Sequence, residues 1–137
     1  MAKAKSIIIS GKRKTAIAKL RISEGDGKII YNHLPYEELI LFHRLALAEP
    51  IRIYKKVLGD ELKHDFHIKT LGGGKEGQIQ AARLAIAKAL LHLTASDVLR
   101  KAFIEYDRHI IVPDSRRKEA RKPGDSKARA SRQTSYR

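Results

Sequence analysis

The sequence predicts an α+β fold: a two-layer sandwich in which a four-stranded sheet carries helices on one face. Two stretches, "TAIAKLRI" and "LKHDFHIKTL", alternate apolar and polar residues as half-buried strands do. A third, "QIQAARLAIAKALLHL", repeats apolar residues at helical spacing. Because the chain has 137 residues, 42% of them hydrophobic, we expect one domain with a modest core.

The N-terminal third of the chain predicts strands. "SIIIS" is short and β-branched, and "TAIAKLRI" places Ala18, Leu20 and Ile22 on one face with Lys19 and Arg21 on the other. The turn residues "SEGDG" then lead into "KIIYN", which predicts a hairpin between these two strands. The alternation indicates a sheet with one buried face and one solvent-exposed face.

The middle of the chain predicts helices. In "LPYEELILFHRLALAEP", Pro35 suits a first helical turn, and Pro50 is expected to end or kink the helix. A second short helix is expected in "IRIYKKVLGDE". After the long helix of residues 78–93, "TASDVLRKAF" predicts a further short helix capped by Thr94 or Ser96.

Charge narrows the possible partners. Lys and Arg number 29 against 15 Asp and Glu, which gives a net charge of +14 and a pI near 10.2. Self-repulsion of this size disfavours a compact free state, so we expect an external polyanion: nucleic acid, an anionic membrane surface or a large acidic protein. The chain has no Cys, which excludes a disulfide scaffold, a Cys nucleophile and thiolate metal sites. Because no stretch is typical of a signal peptide or a membrane span, we expect a cytoplasmic protein.

Residues 1–112 are predicted to form the globular body, and residues 113–137 an extended basic tail. The tail carries a net charge of +6, and its basic residues are Arg116, Arg117, Lys118, Arg121, Lys122, Lys127, Arg129, Arg132 and Arg137. Arg outnumbers Lys there, and the planar guanidinium group of Arg binds phosphates through two hydrogen bonds and stacks on bases. Fully extended, such a tail reaches about 80 Å. We therefore predict that the tail binds RNA, with Tyr136 available for stacking.

A glycine-rich segment, "LGGGKEGQ", lies between a predicted strand and a predicted helix. It matches G-x-G-x-x-G, but Asp97 lies in a helix-cap context and no further strand–helix series follows, which argues against a dinucleotide fold. Backbone N–H groups beside a helix start can still bind an anion. The predicted RNA-binding residues here are Gly72, Gly73, Gly74 and Lys75. A plain glycine-rich turn explains the same pattern, and both interpretations stay open.

Other side chains suggest phosphate contact without catalysis. Lys12, Arg13 and Lys14 stand together before a strand and are predicted to contact RNA phosphates, against the alternative of a solvated charge run. His64 and His67 are three apart on a predicted strand, so they face opposite ways and do not form a metal site. Since no catalytic motif is present, we expect no enzyme activity, no cofactor and no metal.

Three segments in order, "SGKRKTAIAKLRI", "LGGGKEGQIQAARLAIAKALL" and the terminal "SYR", resemble the universal small-subunit ribosomal protein nine family. The stretch "YDRHIIVPDSRRKEARKPG" is more similar to the archaeal branch than to the bacterial one. The resemblance implies a four-stranded sheet with a left-handed βαβ crossover. It also implies ribosomal RNA, peptidyl-site tRNA and neighbouring ribosomal proteins of the subunit head as partners, and no membrane.

The resemblance further implies roles for the last two residues. Arg137 matches the terminal arginine that contacts tRNA in the family. Bacterial relatives commonly end Ser-Lys-Arg, and Tyr136 stands in place of that lysine, so a stacking or hydroxyl contact is expected there. Two other hypotheses remain to be tested. The first is a small nucleotide-using enzyme that binds its cofactor at residues 72–77, and the second is a DNA-compacting or membrane-surface protein that acts through charge alone.

Overall fold

The computed structural model describes residues 7–124, 127–130 and 134–137. Within these ranges the chain is α+β, as predicted, with five strands and three α-helices. The strands are β1 (Ile7–Arg13), β2 (Ala16–Glu24), β3 (Ile29–Tyr31), β4 (Leu34–Pro35) and β5 (His64–Leu71). The helices are α1 (Leu41–Leu58), α2 (Lys75–Thr94) and α3 (Asp97–Tyr106). The predicted sheet of four strands is extended by the two-residue β4, which pairs with β3.

The sheet is mixed, with strand order β1-β2-β5-β3-β4. β5 pairs antiparallel with β2 and parallel with β3, so the predicted hairpin between β2 and β3 is wrong. The Asp65 carboxylate explains the difference, because it accepts hydrogen bonds from the N–H groups of Gly27 (3.0 Å) and Lys28 (2.8 Å). These bonds hold the loop after β2 against β5. β2 instead forms a hairpin with β1, which turns at Lys14 with φ +53°.

Helix α1 differs from the prediction at both ends. It begins at Leu41, after a 3-10 turn at Tyr36–Glu38, and not at Pro35. It continues through Pro50, so Pro50 does not end the helix, and the alternative expectation of a kink stays a prediction. Pro50 lacks an N–H group, but it is fully buried beside the core, and packing sustains the helix across the missing hydrogen bond. The helix ends at Leu58, and its C-cap residue Gly59 has a φ of +70°.

Helix α2 packs on one face of the sheet, against β1, β2 and β5. β1 lies very close to it, because a Cβ on Gly11 would stand 2.1 Å from the Ala81 carbonyl oxygen. The core contains the fully buried side chains of Leu20, Leu47, Phe66, Ile86, Leu90, Leu99, Phe103 and Ile110. The small residues of α2 thus allow the close helix–sheet contact that the core requires.

The chain passes from β3 through α1 to its parallel neighbour β5, and the handedness of this crossover stays a prediction. The predicted cap of α3 is confirmed at Ser96, whose side-chain oxygen accepts a hydrogen bond from the Leu99 N–H at 3.4 Å. Across the described ranges, every helix is too short or too polar to cross a membrane.

Candidate nucleic-acid interface

The fold brings together two of the predicted RNA-binding segments. The β1–β2 turn and the glycine-rich loop line one groove of about 320 Å³, to which Arg13, Lys14, Gly73 and Gly74 contribute. These segments lie about sixty residues apart in the sequence and meet because β1 and the start of α2 pack side by side. Exposed Lys14 and exposed Glu76 also line this groove, and Lys12 and Lys75 are exposed next to lining residues in the sequence. The structure thus places Lys14 beside the glycine-rich loop.

Two of the loop glycines are required by the fold. Gly72 and Gly73 have φ of +73° and +66°. A Cβ on Gly72 would stand 2.8 Å from the Thr15 carbonyl oxygen, and one on Gly73 would stand 2.9 Å from the Ala16 Cβ. For these two positions, backbone conformation and close packing against the β1–β2 turn are a sufficient explanation.

Gly74 is different, because neither its conformation nor its packing demands glycine. Its φ is −103°, and an added Cβ would meet no heavy atom of the described chain within 4 Å. Gly74 is the N-cap of α2, whose first N–H groups have no partner within the helix. The positive end of the helix and the exposed Lys75 suit an anion there, and the anion site stays a prediction.

A second groove, of about 280 Å³, continues from the first. The two grooves share Arg13 and Gln80, and the second adds Lys12, Arg83 and His109. Sequence reasoning missed Gln80, Arg83 and His109. The spacing of Gln80 and Arg83 on one side of α2 is a pattern that could have found the first two.

Asp107 and Asp114 are the acids that line the second groove, and the side chain of Asp114 is only 7% exposed. Arg116 donates to its Oδ2 through Nε at 2.8 Å and Nη2 at 2.6 Å, and the Arg116 N–H donates to Oδ1 at 2.9 Å. Arg13 forms a second salt bridge to Oδ2. The Arg116 hydrogen bonds, with help from Arg13, hold the pKa of Asp114 far below its usual range. This cluster fixes the beginning of the predicted tail to β1.

Arg83 has a structural role. It forms salt bridges to Glu49 of α1 at 2.5 Å and to Asp107 after α3 at 3.2 Å, and its side chain is 12% exposed. Glu49 also accepts a hydrogen bond from the Tyr106 hydroxyl, which raises the pKa of that tyrosine. Arg83 therefore joins three helices, and its charge is already matched by two acids.

Residues 115–124 are exposed and form neither helix nor strand. The predicted RNA-binding residues Arg117, Lys118, Arg121, Lys122, Lys127 and Arg129 are all exposed. Arg129 pairs with Glu119 at 2.9 Å, and Arg117 donates to two backbone carbonyls. Tyr136 and Arg137 are exposed at the end of the chain, and Arg132 lies outside the described residues.

The geometry argues against the nucleotide-enzyme hypothesis. The sheet described here is mixed, whereas a dinucleotide fold needs a mainly parallel sheet. Helix α2 is followed by α3 and a 3-10 turn at Arg108–Ile110, and no strand follows among the residues that the structure describes. In the part of the chain that the structure describes, no three His, Asp or Glu side chains gather as metal ligands.

Comparison with known proteins gives a consistent result. A model of the family described as "Ribosomal protein S9/S16" matches residues 11–137. Three curated relatives share the description "Small ribosomal subunit protein uS9". That of Methanothrix thermoacetophila is 39% identical over 129 residues, covering 93% of this chain and 96% of the relative. That of Methanococcus vannielii is 40% identical over 130 residues, covering 93% and 95%.

The third relative, from Picrophilus torridus, is 44% identical over 133 residues, covering 96% of this chain and 97% of its own length. All three come from archaea, in agreement with the archaeal resemblance of the sequence. The family match begins at Gly11, so it includes both grooves and the whole C-terminal segment. The chain therefore belongs to the ribosomal protein S9/S16 family.

Proposed function

We propose that this chain, a structural and non-enzymatic protein of the small ribosomal subunit, binds ribosomal RNA in the subunit head and directs its C-terminal tail toward the peptidyl-site tRNA. Family membership and the names of its relatives support the ribosomal role. Its partners are then ribosomal RNA, tRNA and neighbouring ribosomal proteins, and its location is the cytoplasmic ribosome.

The observation that carries the RNA-binding proposal is the pair of adjoining grooves. They place Lys12 and Lys14 beside the glycine-rich loop and beside the start of the tail. Neither lysine has a salt-bridge partner among the described residues. Lys12 lines the second groove and Lys14 the first, and such unpaired cations suit phosphates of a folded RNA, which contribute most of the affinity in such complexes.

Arg13, Asp114 and Arg116, which we call the Asp114 cluster, give the proposed division into body and tail a physical basis. Asp114 is held by Arg13 and Arg116, whereas residues 117–124 are exposed. Residues beyond the cluster are then available to follow RNA, and the anchor sets where the tail leaves the body. Charge neutralisation and positioning are the whole mechanism, because no bond is made or broken.

The tRNA contact rests on the end of the tail. Tyr136 is 95% exposed and Arg137 is exposed beside it. The guanidinium group of Arg can bind the phosphates of an anticodon stem-loop, and a tyrosine ring can stack on a ribose or base. We therefore assign Arg137 to a tRNA phosphate and Tyr136 to a stacking or hydroxyl contact.

Salt titration of RNA binding tests the proposal. The tail variant changes Lys118, Arg121, Lys122 and Lys127 to Gln, and the control variant changes Lys55, Lys56, Arg100 and Lys101 to Gln. Both remove four charges. Each phosphate contact contributes about 0.7–0.9 to the slope of log K against log salt, so the tail variant should lose about three from its slope on small-subunit RNA. Equal slopes for the two variants would contradict the role of the tail.

A further inference from the structure

One sheet face is covered by α2, and the opposite face carries a cluster of cations. Lys19 and Arg21 of β2 and Lys69 of β5 are exposed there, and His67 is half-buried among them. Lys19 is the register partner of Lys69, and Arg21 is the register partner of His67. We call Lys19, Arg21, His67 and Lys69 the sheet-face cluster.

The arrangement of the sheet-face cluster is unfavourable for the isolated protein. Side chains directly opposite on antiparallel strands lie about 5 Å apart, and like charges in such positions are destabilising. The face pairs Lys19 with Lys69 directly, and it places Arg21 about 7 Å along the same strand from Lys19. A fold selected for stability alone would place acids between these cations.

The acids of the described chain do not relieve this repulsion. Lys19, Arg21 and Lys69 have no salt-bridge partner within the described ranges. Asp65, at the far end of β5 on the same face, already accepts the Gly27 and Lys28 N–H groups. Both bonds go to its Oδ1 and hold the loop after β2, and among the described residues Asp65 forms no salt bridge with the cluster.

The surface around the cluster also fits a nucleotide. A groove of about 400 Å³ is lined by the cluster together with exposed Ile8, half-buried Ile30 and exposed His33. Ile30 and His67 are register partners, so an apolar side chain and an imidazole lie side by side at its centre. Single-stranded RNA is bound by surfaces of this kind, in which cations contact the phosphates and apolar or aromatic side chains contact a base. Here the cations are at the edge of the groove, and Ile30 and His67 form its floor.

We propose that this open sheet face is a second RNA-binding surface, which takes an unpaired or loop segment of ribosomal RNA through the sheet-face cluster. The inference rests on the proposed ribosomal function and adds a contact on the side of the sheet opposite α2. An RNA strand is favoured over an acidic protein segment because the apolar floor suits a base and the cations flank it on both strands.

Matched charge-removal variants test the proposal on the full-length protein. The face variant changes Lys19, Arg21 and Lys69 to Gln, and the control changes Lys55, Lys56 and Lys101, exposed on α1 and α3, to Gln. Binding to small-subunit RNA is measured across a salt series. The face variant should bind at least tenfold more weakly than the control, and its slope should fall by about two.

A single charge reversal supplies an independent readout. Lys19→Glu places an acid opposite Lys69, so its Tm should rise while its RNA affinity falls at least tenfold below that of Lys56→Glu. A variant that folds better and binds worse excludes misfolding as the cause. If face and control variants bind alike, the sheet face is not an RNA surface. If the face and control variants bind alike but the tail variant still loses RNA affinity, the proposed function stands and only the inference about the sheet face fails.

Discussion

Arg13 at the end of β1 and Asp114 at the start of the C-terminal segment form a salt bridge across a hundred residues of sequence. Arg116 binds the same carboxylate, so two arginines predicted to contact RNA share one acid. The three groups together carry a net charge of +1. Their salt bridges therefore hold the start of the predicted tail at the end of β1, and all three groups line a groove together with Lys12.

Asp114→Asn should loosen this attachment. Without the carboxylate, Arg13 and Arg116 lose their shared partner and the Arg116 N–H loses a charged acceptor. We expect a lower urea midpoint and faster hydrogen exchange at Arg116. Glu119→Gln is the control, because its pair with Arg129 is exposed and such pairs contribute little. Identical midpoints for the two variants would show that the Asp114 cluster does not anchor the tail.

Acid should weaken the fold through two carboxylates. The pKa of Asp114 is lowered mainly by Arg116, and the pKa of Asp65 is lowered mainly by the Lys28 N–H. Lowered folded-state pKa values mean that the unfolded chain binds protons first as the pH falls below about 4. Urea midpoints should therefore change little between pH 7 and 5 through these groups and decrease below pH 4. The double variant Asp65→Asn/Asp114→Asn should show a shallower decrease, and an unchanged decrease would exclude both carboxylates as its cause.

Gly11→Ala should destabilise the body. The new Cβ would stand 2.1 Å from the Ala81 carbonyl oxygen and 2.9 Å from the Ala85 nitrogen, so β1 and α2 must move apart. Overpacking of this kind costs about 1–3 kcal/mol of unfolding free energy. The exposed neighbour provides the control, since Ser10→Ala should change stability by less than about 0.5 kcal/mol. Urea denaturation of both variants measures the difference.

Gly74→Ser separates the two interpretations of the glycine-rich loop. Its φ of −103° accepts any residue, and serine is a better N-cap than glycine, so stability should hold or rise by a few tenths of a kcal/mol. The serine hydroxyl would also occupy the N–H groups that a phosphate needs. RNA affinity should then fall about tenfold at constant salt. An unchanged affinity would mean that the loop is only a turn, as the contacts of Gly72 and Gly73 allow.

Local patterns in the sequence predicted much of the fold. The alternation at Leu20 and Phe66 identified the buried faces of β2 and β5, and helical spacing identified α2. The Ser96 cap was also predictable, because its hydrogen bond joins residues three apart. These features depend on interactions between neighbours in the sequence, which is why the pattern contains them.

The features that the sequence did not reveal depend on distant contacts. The hairpin between β2 and β3 was wrong because Asp65, nearly forty residues away, draws the intervening loop to β5. Of the two outcomes expected at Pro50, a stop or a kink, the stop was wrong because burial in the core outweighs one missing hydrogen bond. At the site, the sequence predicted Arg13 and Arg116 as RNA-binding residues, and it did not reveal that the fold gives both the partner Asp114.

The most direct test of the central claim is sedimentation of a lysate of the source cells, with quantitative mass spectrometry across the ribosomal peaks. A structural protein of the small subunit should be found in the small-subunit peak in a one-to-one ratio with other proteins of that subunit, and it should leave that peak only at high salt. Recovery of the chain in the soluble fraction, with small subunits that lack it, would contradict the account.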